Sequence, residues 1–119
     1  MIREYKGSCH CGSISFSFKS EEITHGVRCN CSICARKGAM MTSDLIHEEQ
    51  FKTNVKEGSL GLYQFGEKTA KHYFCKVCGI YPFHESSRAP GHMRANLGCV
   101  EEVDLFELPF GLLYGKHLL

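Results

Sequence analysis

The 119-residue sequence has no apolar run near the roughly 18 residues that a bilayer-spanning helix requires. A membrane protein is therefore not expected. Its opening residues, Met1-Ile2-Arg3-Glu4-Tyr5-Lys6, lack the apolar stretch of a secretory leader. That favours a reducing cytoplasm, where thiols stay free or bind metal. Charge of one sign is also missing: the formal net charge is +1, and no long block of like charge occurs. Nucleic acid prefers a clearly basic face, so it is not an expected partner. Linkers, low-complexity tracts and fixed repeats are absent. One ordinary domain over residues 1–119 is expected, with the 43% hydrophobic and 23% charged content of a globular chain.

Sustained helical periodicity is scarce, and the pattern reads as mostly β. Residues 13–19 alternate polar and apolar strictly, which places Ile14, Phe16 and Phe18 on one buried face of a strand. Further strand-like runs are 23–28, 39–42, 61–65, 70–74, 80–83, 93–97 and 103–108. Glycines punctuate them, as expected of short strands in small sheets. The helix candidates are two short segments, 32–37 and 46–50.

What the chain has in excess is cysteine. Eight are present, in three clusters: Cys9-His10-Cys11, Cys29-Asn30-Cys31-Ser32-Ile33-Cys34 and Cys75-Lys76-Val77-Cys78, with Cys99 apart. Two thiolates on one tight turn can share an ion at ~2.3 Å each. Gly12 and Gly79 directly follow a cysteine, where positive φ lets backbone N–H groups turn toward sulfur. A structural zinc takes four ligands, so the first and third clusters are expected to pair as Cys9, Cys11, Cys75 and Cys78. A thioredoxin-like redox motif needs a helix after its Cys-x-x-Cys, and Pro82 argues against one here.

Cys29, Cys31 and Cys34 supply three thiolates, the number that leaves a zinc site open for catalysis. A thiol entering the fourth position would lose its proton and could attack an aldehyde. In the alternative, Cys99 completes a closed four-cysteine centre with no substrate position. Soft thiolates favour zinc, although iron can substitute in four-cysteine sites. Two zinc ions per chain are expected, the three-ligand one partly lost on purification. Arg28, Arg36 and Lys37 surround this cluster and could steer an anionic thiol by charge, although each reads first as solvated surface. Of the seven histidines, His10 is expected to point away from its flanking cysteines. His25, His47, His72 and His117 lie in no motif, and His84 and His92 flank a loop that could approach a site.

With these motifs in place, the chain resembles the glutathione-dependent formaldehyde-activating enzyme family, whose domain also occurs in centromere protein V. The matching segments are Gly7-Ser8-Cys9-His10-Cys11-Gly12, the Cys29–Cys34 cluster, Phe74 through His84, and Asn96-Leu97-Gly98-Cys99. The resemblance implies a mostly β fold with small sheets tented over a structural zinc on Cys9, Cys11, Cys75 and Cys78. It also implies a catalytic zinc on Cys29, Cys31 and Cys34. The implied activity is that of a carbon–sulfur lyase joining glutathione and formaldehyde as S-hydroxymethylglutathione. The alternative is a non-catalytic zinc module that binds a protein or another macromolecule.

Overall fold

The computed structural model describes residues 1–66, 70–87 and 89–113. Its core starts from the alternating segment. Strand β2 (Ile14–Glu21) turns Ile14, Phe16 and Phe18 inward, each almost completely buried. It pairs antiparallel with β1 (Ile2–Ser8) on one side and β6 (Phe51–Val55) on the other. The register sets Phe18 opposite Tyr5 and Phe51. Phe16 stacks on Phe51 at 5.5 Å between ring centroids, and Phe83 meets Phe16 edge-on at 5.6 Å. Offset and edge-to-face rings add to the burial of their apolar surface.

Chain order then runs β3 (Gly26–Cys29), α1 (Ser32–Lys37), β4 (Met41–Thr42) and β5 (Ile46–His47). After β6 come β7 (Leu60–Tyr63), β8 (Lys71–Cys75), β9 (Phe83–Glu85), β10 (His92–Ala95) and β11 (Phe110–Leu113). These form three sheets: β1-β2-β6, β5-β10-β9-β8-β7 and β11-β3-β4. All pairings are antiparallel except β11 with β3, which is parallel. The fold is mostly β with small sheets and little helix, as the residue pattern implies.

Several local expectations shift. Residues 46–50 are not a helix: Ile46–His47 is a strand on β10, and Glu48–Gln50 a single 3₁₀ turn. Segment 103–108 is not a strand. Its backbone folds into turns, with the Asp104 carboxylate accepting from the Phe106 N–H, while Val103, Leu105 and Leu108 still pack on the core. The run 80–83 becomes a strand only from Phe83, because Pro82 offers no N–H to a ladder. Residues 93–97 form β10 only through Ala95, and a 3₁₀ turn follows over Leu97–Cys99. Strands β1, β6 and β11 do not announce themselves by alternation. The tertiary pairing with β2 and β3 supplies their hydrogen-bond partners.

Candidate metal centres and active site

Cys9 and Cys11 occupy the turn between β1 and β2, and Cys75 and Cys78 the turn that closes β8. The hairpin is fixed by the Cys9 N–H donating to the Ile14 carbonyl at 3.0 Å. The β8 turn is fixed by Cys75 N–H to Ile80 carbonyl at 2.8 Å. Gly12 and Gly79 adopt φ of 82° and 79°, the left-handed geometry expected of them. The folded chain brings all four sulfurs within 4.8 Å of one another. The Cys11 sulfur lies 3.7 Å from both Cys9 and Cys75. A tetrahedron with ~2.3 Å metal–sulfur bonds has sulfurs about 3.8 Å apart, so this donor set fits one zinc-sized ion.

Backbone N–H groups point at these sulfurs. Ile14 N–H donates to Cys9 Sγ, and the N–H groups of Val77 and Cys78 both donate to Cys75 Sγ, each at 3.4 Å. Hydrogen bonds from the backbone of Cys11 and Ile80 pull the Cys78 thiol down to about 6. The Ser13 hydroxyl and backbone lower Cys11 as well. All eight cysteines are free of disulfides.

The second cluster is built by a strand end and a helix start. Cys29 closes β3, Cys31 caps α1 at its N-terminus, and Cys34 stands one turn into the helix. The Cys31 sulfur accepts from the Cys34 N–H at 3.5 Å, and Cys29 sulfur from the Cys31 N–H at 3.5 Å. Helix α1 occupies the expected 32–37 and stops at Gly38, whose backbone is left-handed. The three sulfurs again lie within 4.8 Å of one another. Burial opposes charge on Cys31, yet N–H donors from Cys34 and neighbouring thiols hold its pKa below the ordinary value. Cys34 is driven far upward by burial, then by its hydrogen bond to Cys31 and the charges of Cys29 and Cys31. Three close thiols cannot all ionise alone; a divalent cation removes that repulsion, so this donor set also fits a metal.

Cys99 does not join the second cluster. Its sulfur rests 4.0 Å from the Tyr81 carbonyl. Burial, then the charges of Cys9 and Cys78, push its thiol up to about 11, and its sulfur belongs to neither cluster. The closed four-cysteine alternative for Cys29, Cys31 and Cys34 is therefore not what the fold builds.

A cavity of about 120 Å³ opens beside the second cluster. Cys29, Cys31 and Cys34 line it together with Lys37, His72, Tyr81, His84 and Arg94, while Val27, Ala39 and Met41 supply apolar wall. No cysteine of the first cluster reaches it. Lys37 Nζ donates to His72 Nδ1 at 2.8 Å and sits 3.4 Å from the centre of the Tyr81 ring. The Tyr81 hydroxyl donates to His84 Nδ1. Arg94 Nη1 donates to the carbonyls of Thr42 and Ser43 at 2.6 and 2.8 Å. Burial, then the Lys37 charge, lowers His72 to about 4 and His84 to about 3, so both imidazoles are neutral near pH 7. Burial lowers Lys37 to about 8, against the upward pull of Cys34 and Cys31.

The remaining sequence candidates separate here. Arg36 is exposed and bonded to the Ser32 carbonyl. Arg28 bonds the Gly38 carbonyl at 3.1 Å and lies over the Phe110 ring. Lys37, read as surface from the sequence, is the basic residue of that trio which lines the cavity. His10, His25 and His47 are exposed, His92 packs on His47, and His117 lies outside the described residues. His72, which lies in no motif, and His84, beside the loop expected to be able to approach a site, are both buried and line the cavity. Arg94 gave no sequence signal, and Tyr81 entered only as part of the segment Phe74 to His84. The cross-strand register His72↔His84 between β8 and β9 is what brings the imidazoles together.

The family model for glutathione-dependent formaldehyde-activating enzyme matches residues 4–109. The chain belongs to this family. A crystal structure of a Rhodobacter sphaeroides protein, solved as a structural genomics target, superposes with a TM-score of 0.78 at 34% identity. The match covers 89% of this chain and 99% of that one. Glutathione–formaldehyde chemistry is thus the function of the family to which this fold and its two cysteine clusters belong.

Proposed function

We propose that the chain is a zinc enzyme of the cytoplasm that joins a small thiol, glutathione or a relative, to an aldehyde such as formaldehyde. The class would be carbon–sulfur lyase, run in either direction. The observation that carries this reading is that Cys29, Cys31 and Cys34 converge on one cavity while the fourth candidate sulfur, Cys99, lies elsewhere. Cys9, Cys11, Cys75 and Cys78 would hold a structural zinc that ties the β1–β2 hairpin to β8. At the second site a bound zinc would supply a Lewis-acid position favouring the thiolate form of an incoming thiol.

The chain's own residues then do the rest. Backbone N–H groups of Cys31 and Cys34 steady two of the three sulfurs. Val27, Ala39 and Met41 shield the reacting atoms from water. Tyr81 is braced through its carbonyl by the Asn96 side-chain N–H at 2.7 Å, and so keeps its ring under Lys37.

The test is to mix zinc-loaded protein with glutathione and formaldehyde and follow exchange of the adduct by NMR. Exchange faster than the spontaneous reaction, lost in Cys34→Ser, supports the proposal. A wild-type rate equal to the spontaneous one removes this substrate pair.

A further inference from the structure

Lys37 sits in the cavity with an unusual set of neighbours. It leaves the last turn of α1 one helical turn beyond Cys34, so it rises on the same face as that sulfur. The titratable and charged groups around the same cavity are His72 on β8, His84 and Glu85 on β9, Tyr81, Arg94 on β10, Cys29 at the end of β3, Cys31 capping α1 and Cys34 on it. Among the described residues no carboxylate lies within ion-pair distance of Nζ. An ammonium has three donors. One goes to His72 Nδ1 and the cation rests on the Tyr81 face, so these contacts orient Nζ without neutralising it. Addition of a thiol to a carbonyl places negative charge on oxygen, which a positioned donor stabilises most in a site shielded from water.

We propose that Lys37 is the catalytic acid of this site, its Nζ donating the proton that the aldehyde oxygen takes up as the carbon–sulfur bond forms. The assignment rests on the thiol–aldehyde reading above. The sulfur lone pair forms the new C–S bond, and the C=O π pair moves to oxygen. Oxygen takes one proton from Nζ. The amine left behind recovers a proton as the next thiol surrenders its own, so thiol plus aldehyde give the hydroxyalkyl thioether with no other reagent. Burial already weakens the hold of Lys37 on its proton, which suits the role. His72 and His84 stay neutral and serve as acceptor and scaffold.

The test uses zinc-loaded full-length protein as wild type, Lys37→Met and Lys37→Arg. Methionine keeps the length of the side chain, and arginine keeps the charge but retains its proton. Zinc content should equal the wild type in both. Both should lose about 100-fold or more in kcat, with KM changed by less than about threefold. Retention of more than about a third of kcat by either variant overturns the assignment, and so does loss of zinc, which would make Lys37 structural.

A second measurement stands apart from turnover. In ¹⁵N-lysine-labelled, zinc-loaded protein, formate serves as a one-carbon oxyanion probe. The Lys37 Nζ resonance should shift saturably, and the exposed lysines should not. An unmoved Lys37 resonance overturns the assignment. Should wild type fail to accelerate thiol addition while formate still titrates Lys37, the thiol–aldehyde reading falls and the oxyanion site stands.

Discussion

Replacing Cys75 by serine should destabilise the protein far more than replacing Cys34, although each removes one sulfur from a cluster. The two clusters close very different loops. A metal bridging Cys11 and Cys75 joins positions 64 residues apart. Cross-linking a loop of that length removes about 4 kcal/mol of unfolded-chain entropy. The Cys29–Cys34 cluster closes a loop of about five residues, for which the same relation gives about 2 kcal/mol. Against a whole-domain stability of about 5–15 kcal/mol, the first loss is severe and the second tolerable. Cys75→Ser should therefore lower stability by about 2 kcal/mol more than Cys34→Ser, a gap of very roughly 10 °C in Tm. The assay is thermal unfolding followed by circular dichroism, with zinc in excess and again with a chelator. The chelator should lower wild type and Cys34→Ser strongly and change Cys75→Ser much less. Equal destabilisation by the two variants, or a larger effect from Cys34→Ser, would refute the staple.

Other outcomes follow from the same geometry. Cys99→Ser should hold as much zinc as wild type purified alongside it, because its sulfur belongs to neither donor set; metal analysis returning one ion fewer than wild type would contradict this. Phe18→Ala should cost about 3–5 kcal/mol in urea unfolding, since the ring is 1% exposed and stacks on Tyr5 and Phe51. Stability should fall as pH drops from about 6.5 toward 4. His72 and His84 bind protons in the unfolded chain across that window but resist them when folded, with values of about 4 and 3. Denaturant unfolding at pH 7 and pH 5 should show a smaller difference in His84→Gln than in wild type, and an unchanged difference would count against burial as the cause.

The strand of Ile14, Phe16 and Phe18 could be read directly, because period-two alternation records one face turned to a core. Helix α1 was legible only as a short candidate over 32–37 without sustained periodicity; its Cys31 cap and its left-handed stop at Gly38 show in the fold. Val103 to Leu108 misled because the same alternating apolar residues can reach a core from turns. Strand β6 was silent, since Phe51 and Val55 stand four apart and only pairing with β2 makes that stretch extended. At the site, sulfur spacing along the chain identified every cysteine of both clusters. Lys37, His72, Tyr81, His84 and Arg94 were not legible as a group, because nothing local ties them.

The division has a physical cause. Sulfurs that share a turn are set by covalent spacing, so the sequence alone determined which cysteines lie together in pairs or threes and that the chain would be mostly β. Contacts between distant segments depend on strand register and packing, which no short stretch encodes. Only the tertiary structure decided that Cys99 stays apart from the second donor set, that two imidazoles meet across β8 and β9, and that a lysine from α1 lies between one of them and a tyrosine ring.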